Sequence, residues 1–398
     1  MKNLKELFLK NLGQTSRFPF GIEVDHARGS RIYTPEGKDY FDLLSGFSVS
    51  NVGHADPRII KAVQDQAEKY MHTMVYGELV QSPQVQYASL LIDLLPEPLN
   101  KVFFVSSGSE AIEGALKLAK RYTGRSELIS FKDSYHGSTQ GALSMMGSEK
   151  YKIHFRPLLP DIQILEFNSF EQLSRISSRT AAVLVEPIQA EAGIIEPENG
   201  FLTALRKRCT ETGAQLIFDE IQTGFGRTGK LFAMEHYNVV PDILALAKAL
   251  GGGMPLGAFI SSGEIMDTLI EYPGLGHLTT FGGHPVSCAA GMTALNIILD
   301  EKLQESATEK GEKFKKLMVH KSIREIRGKG LFLALKLQSD EQNMRLFRNA
   351  RDYGFITDLF LFNTDSFRIA PPLSISDRDI EELSARITKA LDDSLPAT

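Results

Sequence analysis

The sequence predicts an α/β protein whose larger part is a mostly parallel sheet covered by helices. From about residue 50 to 290, short apolar runs alternate with amphipathic helical patterns, the arrangement of strand–helix–strand units. The runs Ala181-Ala182-Val183-Leu184-Val185, Leu216-Ile217-Phe218 and Ile243-Leu244-Ala245-Leu246 are apolar throughout, so they read as buried strands. With 398 residues the chain can bury a large core and is expected to divide into two domains.

The ends of the chain read differently. Ile32 to Leu44 has aromatic strand character broken by a turn at Pro35-Glu36-Gly37. Near the C-terminus a strand is expected over Gly330-Leu331-Phe332-Leu333-Ala334-Leu335, followed by charged helices. No repeat, low-complexity tract or flexible linker intervenes.

Apolar residues make up 42% and charged residues 23%, as in soluble globular proteins. The formal charge is −5 with no basic block, which argues against nucleic acid as a partner. Cys209 and Cys288 form no metal or redox spacing, so no metal is expected and a reducing cytoplasm fits. Met1-Lys2-Asn3-Leu4-Lys5-Glu6 lacks the apolar core of a signal peptide, and no apolar stretch has membrane-spanning length. A cytoplasmic protein without membrane contact is the expectation.

Three segments carry chemistry. Lys248 ends the run Ile243 to Ala247 and precedes Gly251-Gly252-Gly253. Desolvation there should lower its pKa below the ~10.4 of a free lysine and yield the neutral amine that carbonyl chemistry requires. A surface lysine with a snorkelling stem is the plainer alternative. In Val102-Phe103-Phe104-Val105-Ser106-Ser107-Gly108-Ser109-Glu110, a strand runs into a helix whose apolar positions are Ile112, Ala115, Leu116 and Ala119. Ser107 and Glu110 have capping-box spacing, and a helix N-terminus beside small residues can seat a phosphate. An ordinary well-capped turn satisfies the same pattern. In Gln215-Leu216-Ile217-Phe218-Asp219-Glu220 a strand delivers a carboxylate at its C-terminal end, where it could hold a pyridinium nitrogen or merely cap a helix.

Gly224-Phe225-Gly226-Arg227-Thr228-Gly229-Lys230-Leu231 satisfies G-x-G-x-x-G and nearly spells a P-loop. Asp219 to Thr223 intrude where the dinucleotide fingerprint needs an immediate turn, and Leu231 replaces the magnesium-binding hydroxyl. A dehydrogenase or a nucleotide switch is therefore only the runner-up reading.

Ser107-Gly108-Ser109-Glu110-Ala111, Tyr135-His136-Gly137, Glu186-Pro187-Ile188-Gln189, Asp219-Glu220-Ile221-Gln222-Thr223-Gly224 and Lys248-Ala249-Leu250-Gly251-Gly252-Gly253 stand in that order. Thr279-Thr280-Phe281-Gly282-Gly283 and Arg368-Ile369-Ala370-Pro371-Pro372 follow. Together they resemble the class III aminotransferases, pyridoxal 5′-phosphate enzymes of fold type I. The resemblance implies a large cofactor-binding domain at 51–295 and a smaller α+β domain built from 1–50 and 296–398. It implies that Lys248 carries the cofactor and shuttles protons, with Asp219 on the pyridine nitrogen and Tyr135 on the ring face as the other catalytic residues. Ile221 packs the opposite face, Gln222 bonds the ring oxygen, and Gly108 and Ser109 hold the phosphate. Ser107, His136 and Glu186 belong to the same cofactor set. Thr280 would reach the phosphate of a neighbouring subunit, which implies a homodimer with shared active sites.

The family also frames the substrates. Arg368 resembles the arginine that binds the α-carboxylate of glutamate and 2-oxoglutarate, and Glu191 the gate that covers it. Phe47 falls at an aromatic substrate contact, with a core phenylalanine as the alternative. Ornithine and acetylornithine aminotransferases usually place an arginine after the His-Gly of the Tyr135 motif, where this chain has Ser138. Ala190, Ala192 and His284 also depart from the usual residues. The expected reaction moves the distal amino group of a diamine or ω-amino acid (putrescine, ornithine, acetylornithine or 4-aminobutyrate type) to 2-oxoglutarate by ping-pong Schiff-base chemistry. A pyruvate-dependent transaminase, an aminomutase or a racemase on the same scaffold is the alternative.

Overall fold

The computed structural model describes residues 3–271 and 273–395, among which the strands form three sheets. The largest has seven strands in the order Lys101–Val105, Gly257–Ser261, Ile243–Leu246, Gln215–Asp219, Thr180–Val185, Glu127–Phe131, Ile162–Leu165. From Ile243–Leu246 onward every pairing is parallel. Gly257–Ser261 runs antiparallel to both of its neighbours, so the sheet is mixed.

Parallel strands need crossover connections, and helices supply them. Gly108–Thr123 lies between Lys101–Val105 and Glu127–Phe131, and Phe201–Thr212 between Thr180–Val185 and Gln215–Asp219. Helices on both faces explain why the strand sequences are apolar throughout. Val183, Val185, Leu216, Phe218, Leu244 and Leu246 join one apolar cluster. Their alternating neighbours Ala182, Leu184, Ile217, Ile243 and Ala245 join a second cluster on the other face. The strand period of two separates them.

Both chain ends contribute to a second sheet. His26–Arg28, Arg31–Tyr33 and Asp39–Asp42 pair antiparallel, and Phe355–Ile356 adds in parallel to Asp39–Asp42. The third sheet pairs Glu325–Lys329, Phe332–Lys336 and Ser366–Ile369 antiparallel. Its middle strand begins at Phe332, two residues later than the sequence pattern suggests. Gly330 has φ 56°, and a Cβ there would lie 2.6 Å from the backbone nitrogen of Gly229. The turn is pressed against a loop, so the ladder starts beyond it.

That loop is the glycine-rich segment 224–231, and it is filled with protein. Arg227 is fully buried and donates to the carbonyls of Leu331 (2.9 Å) and Pro371 (2.6 Å) and to Asn51 Oδ1. A Cβ at Gly229 would meet Thr308 Oγ1 at 2.3 Å. The loop therefore fastens the large sheet to the chain ends and leaves no cradle for a nucleotide. No helix among the described residues is long and apolar enough to cross a membrane.

Glu220 begins the same connection. Its buried carboxylate accepts from Ala233 N (2.6 Å), Met234 N (2.7 Å) and Thr223 Oγ1 (2.9 Å). Glu220→Ala leaves these donors unpaired, so chemical denaturation should show a stability loss of about 3 kcal/mol or more. A loss below about 1 kcal/mol would mean that water replaces the carboxylate.

Candidate active site

The C-terminal ends of five strands meet at one edge of the large sheet, where open α/β sheets hold ligands. Gln215–Asp219 and Ile243–Leu246 are adjacent and parallel, with Asp219 opposite Ala245, three residues before Lys248. Lys248 follows its strand in a left-handed turn, φ 52°. The turn is pinned from behind, because Tyr87 donates to the Leu250 carbonyl at 2.7 Å and Gly291 of the helix Pro285–Asp300 sits against the same carbonyl. A Cβ on Gly291 would come within 2.0 Å of it.

Ser107, Gly108, Ser109, Tyr135, His136, Glu186, Asp219, Ile221, Gln222 and Lys248 line one cavity of about 350 Å³. Ser107 caps the helix Gly108–Thr123 by accepting from Glu110 N at 3.3 Å. The Glu110 carboxylate reaches back to Ser106 N (2.7 Å), one residue before the position a capping box uses. The exposed N–H groups of the first turn suit an anion. Gly108 rests on Ile221, and a Cβ at Gly137 would lie 2.3 Å from Ser109 Oγ, which in turn accepts from Ser138 N.

Behind this surface the polar atoms are tightly held. Asp219 Oδ2 pairs with His136 Nδ1 at 2.8 Å, and Asp219 Oδ1 accepts from Ile221 N at 3.0 Å. Glu186 ties two segments together by accepting from Tyr135 N (3.2 Å) and Ala190 N (3.0 Å). Gln222 Nε2 and His136 Nε2 are buried without partners. An unpaired amide donor, a buried carboxylate, a helix N-terminus and a lysine fit a phosphorylated heteroaromatic group with a ring oxygen and an aldehyde. Burial lowers the pKa of Lys248, while Asp219 and Glu191 oppose the shift.

A second cavity of about 1260 Å³ adjoins the first at Tyr135 and Lys248. Phe47, Glu191 and Asp358 line it, and residues from the N-terminal segment, among them Phe8, Phe18 and Phe20, form its outer wall. Arg368 is fully buried behind Glu191, its Nη2 donating to Glu191 Oε1 at 2.7 Å and its Nε to Asp358 Oδ1 at 3.1 Å. Phe47 is 43% exposed, which excludes a core role; its ring centroid lies 5.5 Å from the guanidinium carbon of Arg368. It sits in a left-handed turn with Ser45, Gly46 and Ser48. Asp42 holds that turn by accepting from Leu44 N and Ser45 N.

Two expected residues are not among those lining either cavity. Ser138 is exposed, with its hydroxyl 3.3 Å from that of Tyr135. Thr280 is exposed on the surface. Asp42 and Asp358 were not singled out by sequence reasoning. Asp358 lies in a stretch without periodicity or motif, and nothing local marks it.

The family model for class III aminotransferases matches residues 13–391. The acetylornithine aminotransferase of Methanopyrus kandleri is 39% identical over 381 residues, covering 94% of this chain and 95% of that protein. The ornithine aminotransferase of Toxoplasma gondii superposes with TM-score 0.91 at 29% identity, covering 98% of this chain and 94% of that one. A second structure of the Toxoplasma enzyme has pyridoxal phosphate partially occupying its active site. An (S)-enantioselective ω-transaminase from Thermomicrobium roseum gives TM-score 0.90 at 29% identity, covering 98% of each chain.

Burial pushes the Glu186 carboxyl up from 4.5 to about 7, with His136 opposing and Asp219 adding to the rise. Between those values the folded state keeps a proton that the unfolded chain has released, so this contribution to stability is lost as pH rises. Glu186→Gln does not titrate. The Tm of the cofactor-free variant should therefore gain on the parent between about pH 5 and about pH 7.5. A constant Tm difference across that window would contradict the raised value.

Proposed function

The chain belongs to the class III aminotransferases, which use pyridoxal phosphate, and from that premise we propose that it transfers the distal amino group of an ω-amine to 2-oxoglutarate. Bound pyridoxal phosphate supplies an electrophilic carbon and an electron sink. Lys248 holds the cofactor, and its Nζ takes up and returns the proton of the carbon that bears the amine. Asp219, oriented by His136, would hold the pyridine nitrogen protonated, and Gln222 Nε2 would be free to donate to the ring oxygen. Tyr135 and Ile221 would pack against the ring. Ser107, Gly108 and Ser109 at the helix N-terminus would hold the phosphate.

The observation that carries the donor assignment is the closed state of Arg368. With Glu191 on its Nη2, the pocket presents no free arginine to a donor. Ser138 supplies no second cation beside Tyr135. An amine without a carboxylate anchor suits this arrangement, whereas an unpaired buried arginine would be costly. When 2-oxoglutarate arrives, Glu191 leaves and Arg368 takes the α-carboxylate, charge for charge. The 39% identity to an acetylornithine aminotransferase favours a second reading, in which the donor is acetylornithine itself.

We read the working form as a homodimer. Met71, Met74, Val80, Val85, Leu278 and Phe281 are large, apolar and exposed, and His72 joins their two segments by packing on Phe281 with ring centroids 5.1 Å apart. Apolar exposure on this scale marks an interface. Thr280 is exposed between Leu278 and Phe281, which supports a role at a partner's phosphate site.

Two experiments test the reading. With 2-oxoglutarate as acceptor, putrescine-type donors should outperform acetylornithine, and Ser138→Arg should shift the kcat/KM ratio toward acetylornithine by about tenfold through a new bidentate contact. An unchanged ratio would remove Ser138 from the donor site. In single-turnover spectra, Arg368→Ala should cripple the 2-oxoglutarate half-reaction more than the donor half-reaction, and Glu191→Ala should do the reverse. Equal losses in both halves would sink the gate.

A further inference from the structure

Arg368 carries two carboxylates, and only Glu191 belongs to a recognised motif. The second, Asp358, lies on the segment between Phe355–Ile356 and Ser366–Ile369 and accepts from Nε at 3.1 Å. Glu191 accepts from Nη2 at 2.7 Å, and Nη1 is buried without a partner. The two carboxylates thus use different parts of one guanidinium. Glu191 occupies Nη2 alone, its other oxygen accepting from Leu361 N at 3.2 Å, and an incoming carboxylate that displaced it could take Nη2 together with the open Nη1 as a bidentate edge. Asp358 occupies Nε and need not move when that edge changes partner.

The charge balance follows. One guanidinium and two carboxylates leave this cluster with a net charge of −1 in the closed state. Arg227 and Asp42 nearby carry opposite signs, as do Lys5 and Glu23, which line the second cavity. Asp358, Glu191 and Lys248 line the same cavity, whose remaining inner wall includes Phe47 and Leu44. A donor reaching Lys248 therefore passes apolar surface beside an uncompensated negative charge.

We propose that Asp358 is a specificity-determining residue: it holds Arg368 by Nε, leaves the Nη1–Nη2 edge to the acceptor's carboxylate, and selects donors that carry a second, distal ammonium group. This rests on the reading of the enzyme as an ω-aminotransferase and narrows its donor to a diamine. The attraction costs something in the other half-reaction, because a bound dicarboxylate then shares Arg368 with a second anion.

Asp358→Asn tests this, since the amide oxygen still accepts from Nε while the charge is gone. The ratio of kcat/KM for 1,4-diaminobutane to that for n-butylamine should fall about tenfold, the scale of one partly buried charge contact. Asp358→Glu should restore it. Calorimetric binding of glutarate, an unreactive dicarboxylate, to the cofactor-loaded protein should tighten about threefold or more in the Asn variant. A purely structural role would lower both amines equally and leave the ratio and the glutarate Kd unchanged, overturning the proposal. If the parent enzyme uses acetylornithine and neither simple amine, the ω-amine reading fails separately, and glutarate still decides whether Asp358 acts on Arg368: unaltered or weaker binding refutes it.

Discussion

The parallel pairing of Gln215–Asp219 with Ile243–Leu246 is the contact on which the rest of the site depends, because its register sets Asp219 beside the turn that carries Lys248. The remaining parallel strands point the same way, so Tyr135, His136 and Glu186 arrive at the same edge as loops off strand ends. A one-residue slip would turn Asp219 to the opposite face and exchange the two apolar clusters. Burial on both faces makes such a slip prohibitively expensive. The chemistry therefore inherits its precision from the hydrophobic core.

The charged groups at this edge are stabilised by one another more than by water. His136 orients Asp219, Glu186 fastens the Tyr135 segment to the Ala190 loop, and Glu191 and Asp358 both pair with Arg368. Each pairing offsets a desolvation that would otherwise be severe. The atoms left over are informative for the same reason. Among the buried side-chain atoms without partners, Gln222 Nε2, His136 Nε2 and Arg368 Nη1 belong to residues at or behind the two cavities. A folded protein tolerates such atoms where a ligand completes them.

The glycine-rich loop shows how a motif can be emptied by its surroundings. Gly224 to Leu231 has the spacing of a phosphate-binding turn, yet Arg227 fills the space and spends its hydrogen bonds on the two chain ends. Here glycine serves close packing, since Gly229 touches Thr308 and Gly330 touches Gly229. Phe47 is the converse case. Its sequence context allowed a core side chain, but the left-handed turn held by Asp42 turns it outward beside Arg368.

The α/β class, four of the seven strands of the large sheet and the ordered motifs around Lys248 were legible in the chain, because each depends on local periodicity and on residues close in sequence. The sequence also signalled the desolvation of Lys248, which follows from the apolar run before it. The pairing order of the strands, the antiparallel Gly257–Ser261 and the two-residue shift of the strand at Phe332 were decided only in three dimensions. So was Asp358. Its partner Arg368 is ten residues away and its neighbour Glu191 lies far upstream, and no local pattern encodes a contact between side chains that only the assembled sheets bring together.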